Sequence, residues 1–168
     1  MDIDQINNKD LADFVELLGG IFEHSPWVAE RVYGARPFAS RADLHGKMVD
    51  EVHKASVKQR TELLCQHPEL AGKEADEGSL TDASKREQAG AGLNQCSVDE
   101  LTHIKHFNQA YAAKFGFPFI IAVSGLDKQQ ILAAMQQRLD HEAETEFAAA
   151  IGEVEKIGLI RLDALIDE

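Results

Sequence analysis

The chain has 168 residues, 44% of them apolar, and carries 17 basic against 29 acidic residues for a net charge of −12. That length suits one domain with a proper core, which excludes disorder as the main state. The acidic balance excludes nucleic-acid backbones and anionic membranes as main partners, since both reward clustered Lys and Arg. An anionic small molecule stays open, because one Arg in a pocket outweighs a distant surface field.

Taken in chain order, the sequence is dominated by helix punctuation. Asn8 is the expected cap of a helix with Leu11, Phe14, Val15 and Leu18 at helical spacing, stopped by Gly19-Gly20. Ser25-Pro26 opens WVAERVY, which Gly34 closes. Ser40 begins RADLHGKMVDEVHKA, with Leu44, Met48 and Val52 spaced along one face. Ser56 starts VKQRTELLCQ, which must end near His67, because Pro68 disfavours helical geometry in the residue before it.

ELAGKEADEGS reads as a polar loop, followed by a helix holding SKREQAGAGL. SVDELTHIKHFNQAYAAKFG has a capping box in Ser97 and Glu100 and a stripe of Leu101, Ile104, Phe107, Ala110 and Tyr111. FPFIIAVSG is β-branched and apolar but has no second strand to pair with. KQQILAAMQQRL and HEAETEFAAAIGEVEKIGLIRLDALID return to helix. The expectation is an all-α, single-domain compact helical bundle over residues 1–168, with one buried extended segment near 117–124.

Cys65 and Cys96 fit no zinc or redox spacing, so a reducing cytoplasm is the simplest home. The acidic start lacks a leader pattern, no apolar run is long enough to span a membrane, and DALIDE carries no peroxisomal signal.

Four groups of residues carry chemistry, each beside a plainer reading. His67 in the last turn of a helix suits the helix dipole, or acts as an acid/base. Ser84, Glu87 and Gln88 share one helical turn and offer a hydroxyl, a carboxylate and an amide to a polar ligand; Ser84 with Glu87 also fits a capping box. Glu100, His103 and His106 resemble half a metal site, and Asp50 with His53 is the nearest second half. The ligand count falls short, so solvated face residues are the better account and no metal is expected. Arg161, among Leu159, Ile160 and Leu162, either snorkels to water or faces inward as an anion clamp. The AGAG glycines lack the strand and spacing of a phosphate loop.

HPEL at 67–70, SKREQAGAG at 84–92, NQAYAAKFGFPFIIAVSG at 108–125 and IRL at 160–162 together resemble the OHCU decarboxylase family (2-oxo-4-hydroxy-4-carboxy-5-ureidoimidazoline decarboxylase). The resemblance begins at SPWVAERVYGARPF and covers nearly the whole chain. It implies a dimeric, all-α enzyme of purine catabolism that needs no cofactor. The implied reaction is decarboxylation of the ureidoimidazoline to (S)-allantoin and CO2, with stereospecific protonation.

Carried onto this chain, the resemblance makes His67 the acid/base and gives Glu87 and Arg161 catalytic roles. It places substrate contacts at Pro68, at Ser84, Lys85, Arg86, Glu87 and Gln88, and at Phe119, Ile120, Ile121, Ala122 and Val123. Free main-chain groups of the extended segment would then serve the ligand. The C-terminus implies a bacterial-type cytoplasmic enzyme, and the resemblance implies a homodimer open to functional coupling with the upstream urate oxidase and hydroxyisourate hydrolase. A non-catalytic ureide-binding module and a metal-dependent bundle are the rival expectations.

Overall fold

Side-chain oxygens set where most of the helices begin. In the computed structural model, which describes residues 1–167, Asp2, Asp10, Ser40, Ser56, Thr81, Ser97 and Asp127 each accept the backbone N–H three residues on. Each such cap removes one of the orphan donors at a helix start and contributes about 1 kcal/mol. The helices are α1 (Ile3–Asn7), α2 (Leu11–Leu18), α3 (Trp27–Val32), α4 (Arg41–Lys54), α5 (Val57–Cys65), α6 (Lys73–Asp76), α7 (Asp82–Gly90), α8 (Val98–Phe115), α9 (Lys128–Leu139) and α10 (Ala143–Leu165). No strand occurs among the described residues, so the chain is all-α.

The caps correct the expected punctuation at several places. Asn8 is the C-cap of α1, a helix missing from the sequence reading, and Asp10 caps α2 instead. Short Asp side chains compete well with Asn for this role, so two adjacent cappers leave the start ambiguous. Pro26 itself stands at the N-cap of α3, with helical dihedrals and no side-chain cap. The polar stretch expected as a loop contains the single turn α6. Helix α7 starts at Thr81, whose hydroxyl takes the Ser84 N–H, so Ser84 is inside the helix rather than its cap.

The described chain divides into two compact units, Met1–Gln66 with the stretch from Val154 onward, and His67–Glu153. In the first, α3 packs on α2 and α4. Leu44, Met48 and Val52 are fully buried, as their spacing on α4 predicts, along with Ile6, Phe14, Val28 and Leu162. Arg36 ties this unit's N-terminal segment by donating to the carbonyls of Asn7, Lys9 and Tyr33.

In the second unit α8 packs on α9, and Ile104 and Tyr111 turn their side chains into the interior. Residues 118–123 form neither helix nor strand, and Phe119, Ile120 and Val123 within them, with Phe117 just before, are buried. Edge-to-face contacts join the Tyr111 ring to Phe117 and Phe119, 5.9 and 5.4 Å between centroids. Such pairs add about 0.5–1.5 kcal/mol beyond area burial.

A buried ionic cluster completes this packing. Glu146, in the first turn of α10, is wholly buried. It accepts from Arg138 Nε at 3.1 Å and Nη2 at 2.9 Å, and also from the Tyr111 hydroxyl. His141 Nδ1 lies 3.1 Å from its other oxygen. Both main partners sit favourably for the helix dipoles, the acid at a helix start and Arg138 in the last turn of α9. Burial alone would push the Glu146 carboxyl up, but hydrogen bonds from Arg138, Tyr111 and His141 outweigh it and hold the group below its ordinary value. Burial and the bond to Glu146 push the Tyr111 phenol well above its ordinary range.

Glu146→Gln should cost about 3–5 kcal/mol in denaturant unfolding, because it leaves the buried Arg138 without its counter-charge. The depressed folded-state value also fixes a sign. The stability this carboxylate supplies is present above its unfolded value of about 4.3 and is lost as pH falls through the lower folded one. Acid titration should therefore show the parent losing stability more steeply below about pH 4 than Glu146→Gln does.

Candidate active site

His67 sits just beyond α5. Gln66 closes that helix by donating its N–H back to Glu62, Leu63 and Leu64, and Pro68 prevents any continuation. His67 is only 7% exposed, so it is buried rather than solvated at the helix end. The residues after it form a tight loop. Ala71 has φ +45°, a conformation that costs any residue with a side chain. Gly72 lies so close to Glu69 that a Cβ there would meet the Glu69 Cβ at 2.5 Å. Only glycine fits that approach.

The expected ligand turn lies on α7, next to this loop. Ser84 and Gln88 are buried, Glu87 is half-buried, and Lys85 and Arg86 are exposed to solvent. Gln88 joins the two elements directly, because its Oε1 accepts the Ala71 N–H at 2.9 Å and its Nε2 reaches the Glu69 carbonyl at 3.5 Å. The amide expected to contact substrate thus also braces the histidine loop. Burial, and secondarily the charge of Glu74, push the Glu69 carboxyl up from its ordinary value.

The extended segment, residues 119–123, is less available to a ligand than its lack of a partner strand suggests. The Ile120 carbonyl accepts from Arg138 Nη1 at 2.5 Å, and the Ala122 N–H donates to Glu153 Oε2 at 2.8 Å. The Arg138 guanidinium also lies 4.5 Å from the centre of the Phe119 ring. The expectation that this segment's main-chain groups stand free therefore fails at Ile120 and Ala122. Those two groups are used by side chains of α9 and α10 to hold the segment in place.

Arg161 belongs to the first unit and faces inward, 8% exposed. Its Nη2 lies 2.7 Å from Glu23 Oε2, and Nη1 donates to the Gly20 carbonyl at 3.1 Å. Glu23 is 1% exposed. A buried carboxylate at this distance holds the guanidinium plane in one orientation, as an anion-binding fork requires. Its neighbours Leu159 and Ile160 are partly exposed while Leu162 is fully buried. The apolar flanks therefore do not report its surroundings.

The motif that resembled half a metal site is spent on other contacts. Glu100 accepts the Ser97 N–H in the capping box and pairs with Lys128 at 3.1 Å. His103 is exposed and stacks on Phe107, 5.7 Å between centroids. Among the described residues no three His, Cys, Asp or Glu side chains converge as metal ligands.

Sequence reasoning missed Glu23, Asn108, Arg138 and Glu146. Asn108 had a visible signal. It lies four residues after Ile104 and three before Tyr111, on the apolar stripe itself, and is 2% exposed. Arg138 and Glu146 sit among polar residues where ordinary surface residues look the same, and Glu23 follows Ile21 and Phe22 in a stretch with no period to mark it.

Residues 7–163 match the family model for OHCU decarboxylase. The chain is 41% identical over its whole length to the "Uric acid degradation bifunctional protein" of Bacillus sp. (strain TB-90), of which it spans 33%. It is 41% identical over 160 residues to the 2-oxo-4-hydroxy-4-carboxy-5-ureidoimidazoline decarboxylase of Haloferax volcanii, covering 95% of this chain and 93% of that one. Among solved structures it resembles a crystal structure of (S)-allantoin synthase, with TM-score 0.79, 35% identity, and coverage of 99% of this chain and 55% of that one. A crystal structure of OHCU decarboxylase in the presence of (S)-allantoin shares the fold at TM-score 0.72 and 23% identity, over 88% of this chain and 96% of that one. The chain belongs to the OHCU decarboxylase family.

Proposed function

We propose that this chain converts 2-oxo-4-hydroxy-4-carboxy-5-ureidoimidazoline to (S)-allantoin and CO2. What supports the reading most is the site-bearing loop: a buried His67 at a helix end, hydrogen-bonded through its loop to the S-x-x-E-Q turn of α7. Both elements fall inside the family match.

The chemistry suits these residue types. The carboxylate leaves from a carbon next to a C=N bond. The electrons of the breaking C–C bond flow into that bond, so the substrate supplies its own electron sink. CO2 departs and leaves a C=C bond bearing the hydroxyl. That hydroxyl then gives up its proton to become a carbonyl, while the neighbouring ureido-bearing carbon, formerly the carbon of the C=N bond, takes a proton and becomes the stereocentre. What the protein adds is orientation, charge placement and a proton delivered to one face.

In this proposal His67 moves that proton and so sets the handedness of the product. Glu87 orients the histidine or the ureido N–H groups. Ser84 and Gln88 hydrogen-bond the ring and ureido group. Pro68, with Lys85 and Arg86 of the same α7 turn, borders the substrate. From the extended segment, Phe119, Ile121 and Val123 enclose the ring, beside the pinned residues Ile120 and Ala122. Arg161 takes the role of the group that binds the substrate's anionic oxygens, with Glu23 fixing its orientation.

The proposal extends to one domain over the whole chain, acting as a cytoplasmic homodimer without a bound cofactor. Cys65 and Cys96 form no disulfide among the described residues. No described helix is long and apolar enough to cross a membrane. Functional coupling to urate oxidase and hydroxyisourate hydrolase draws support from two Bacillus relatives. In each of these uric acid degradation bifunctional proteins, the matching stretch is 33% of a longer polypeptide.

The decisive assay supplies uric acid with the upstream oxidase and hydrolase and follows allantoin chirality by circular dichroism. The parent should give optically active product, whereas spontaneous decay gives a racemate. Removal of a proton-transfer group costs about 10²–10⁴ in rate, so His67→Ala should lose stereospecific turnover by that order while its far-ultraviolet spectrum stays helical. Parent-level (S)-allantoin from that variant would overturn the assignment. Arg161→Lys keeps the charge but loses the fork, and should raise KM for the anionic substrate. An unchanged KM would remove Arg161 from the substrate's binding groups.

A further inference from the structure

Two amide side chains from different helices hold consecutive main-chain groups of the loop after His67. Gln88 of α7 takes the Ala71 N–H and reaches the Glu69 carbonyl. Asn108 of α8 donates its Nδ2 to the carbonyl between them, that of Leu70, at 3.0 Å. Asn108 is 2% exposed, and its Oδ1 is buried with no hydrogen-bond partner in the protein.

As packing, an asparagine is a poor choice at this place. A buried acceptor left without a partner costs about 1–3 kcal/mol, a cost that a leucine of similar size would not carry. What the amide supplies instead is one donor aimed at the loop. The loop needs one, because Ala71 is held at φ +45° and Gly72 is pressed against Glu69. A strained backbone keeps its shape only where its surroundings over-determine it.

We propose that Asn108 is a positioning residue for His67: by gripping the Leu70 carbonyl from α8, it fixes the loop, and with it the plane and depth of the imidazole. This rests on the reading of His67 as the proton-transfer group. Asn108 itself touches no reacting atom in this proposal. It acts through the loop, opposite Gln88, so that the ring is clamped from α7 and α8 at once.

The test uses Asn108→Leu, which keeps the volume and removes the donor, and Asn108→Ala, which folds without overpacking if leucine does not. Displacing a catalytic group by about 1 Å costs up to about 10²-fold. In a folded variant, kcat should therefore drop by about 10-fold to 10²-fold with KM little changed. The His67 ring resonances in a ¹H–¹³C spectrum should move, while those of the exposed His53 and His103 stay in place. Parent-level kcat in a folded variant would overturn the proposal, and so would lost kcat with unmoved His67 resonances. His67→Ala measured alongside separates the two failures. If that variant keeps the parent rate, the function reading fails, while the resonance shift, which needs no turnover, still reports whether Asn108 sets the ring.

Discussion

The second unit is organised by one buried carboxylate. Glu146 has no contact with solvent, so its charge must be met by the protein, and Arg138, Tyr111 and His141 meet it. Arg138 and Tyr111 each have a second duty. Arg138 spends its remaining nitrogen on the Ile120 carbonyl and lays its guanidinium on Phe119. Tyr111 presents its ring edge-on to Phe117 and Phe119. A segment with no strand to pair with is therefore immobilised by side chains, which solves the main-chain accounting problem that an extended stretch poses in an all-α protein.

Helix α8 links that segment to the histidine loop. Tyr111 anchors the extended residues, and Asn108, three residues earlier on the same face, anchors the Leu70 carbonyl. The two proposed substrate-bordering elements of this unit thus hang from neighbouring turns of one helix, itself fixed at its start by the Ser97–Glu100 capping box and by Lys128. A rigid element shared by two parts of a site preserves their spacing better than two loops would. The same logic holds for Arg161 in the first unit, where Glu23 and the Gly20 carbonyl leave the guanidinium one orientation.

Much of this was legible in the residues, for identifiable reasons. Ser40, Ser56 and Ser97 have one plausible capping partner each, and the α4 stripe has a clear period, so those elements came through. Pro68 fixed the end of α5 because its ring excludes helix geometry in the residue before it. At Asn8 and Asp10, and again at Thr81 and Ser84, two capping residues lie close together. Local chemistry cannot choose between such pairs without tertiary contacts. The candidate site was legible mainly through long motifs, since His67, Ser84 and Arg161 taken singly each fit a structural role. Asn108 was hidden by the habit of reading only apolar residues along a stripe, and the Glu146 cluster by its distance in sequence from Ile120.

The division of the chain has a bearing on how the protein is made. The unit His67–Glu153 is one uninterrupted segment, whereas the other needs both Met1–Gln66 and the stretch from Val154 onward. During synthesis the uninterrupted unit has all its residues first. The Met1–Gln66 part, with Phe14, Val28, Leu44 and Met48 among its buried residues, must wait for the rest of its unit, which carries Val154, Ile157 and Leu162, to leave the ribosome. Exposed apolar surface in such an incomplete intermediate is what chaperones bind and what drives aggregation. Residues Met1–Gln66 are thus the chain's hazardous part during synthesis, although the candidate acid/base histidine lies outside them.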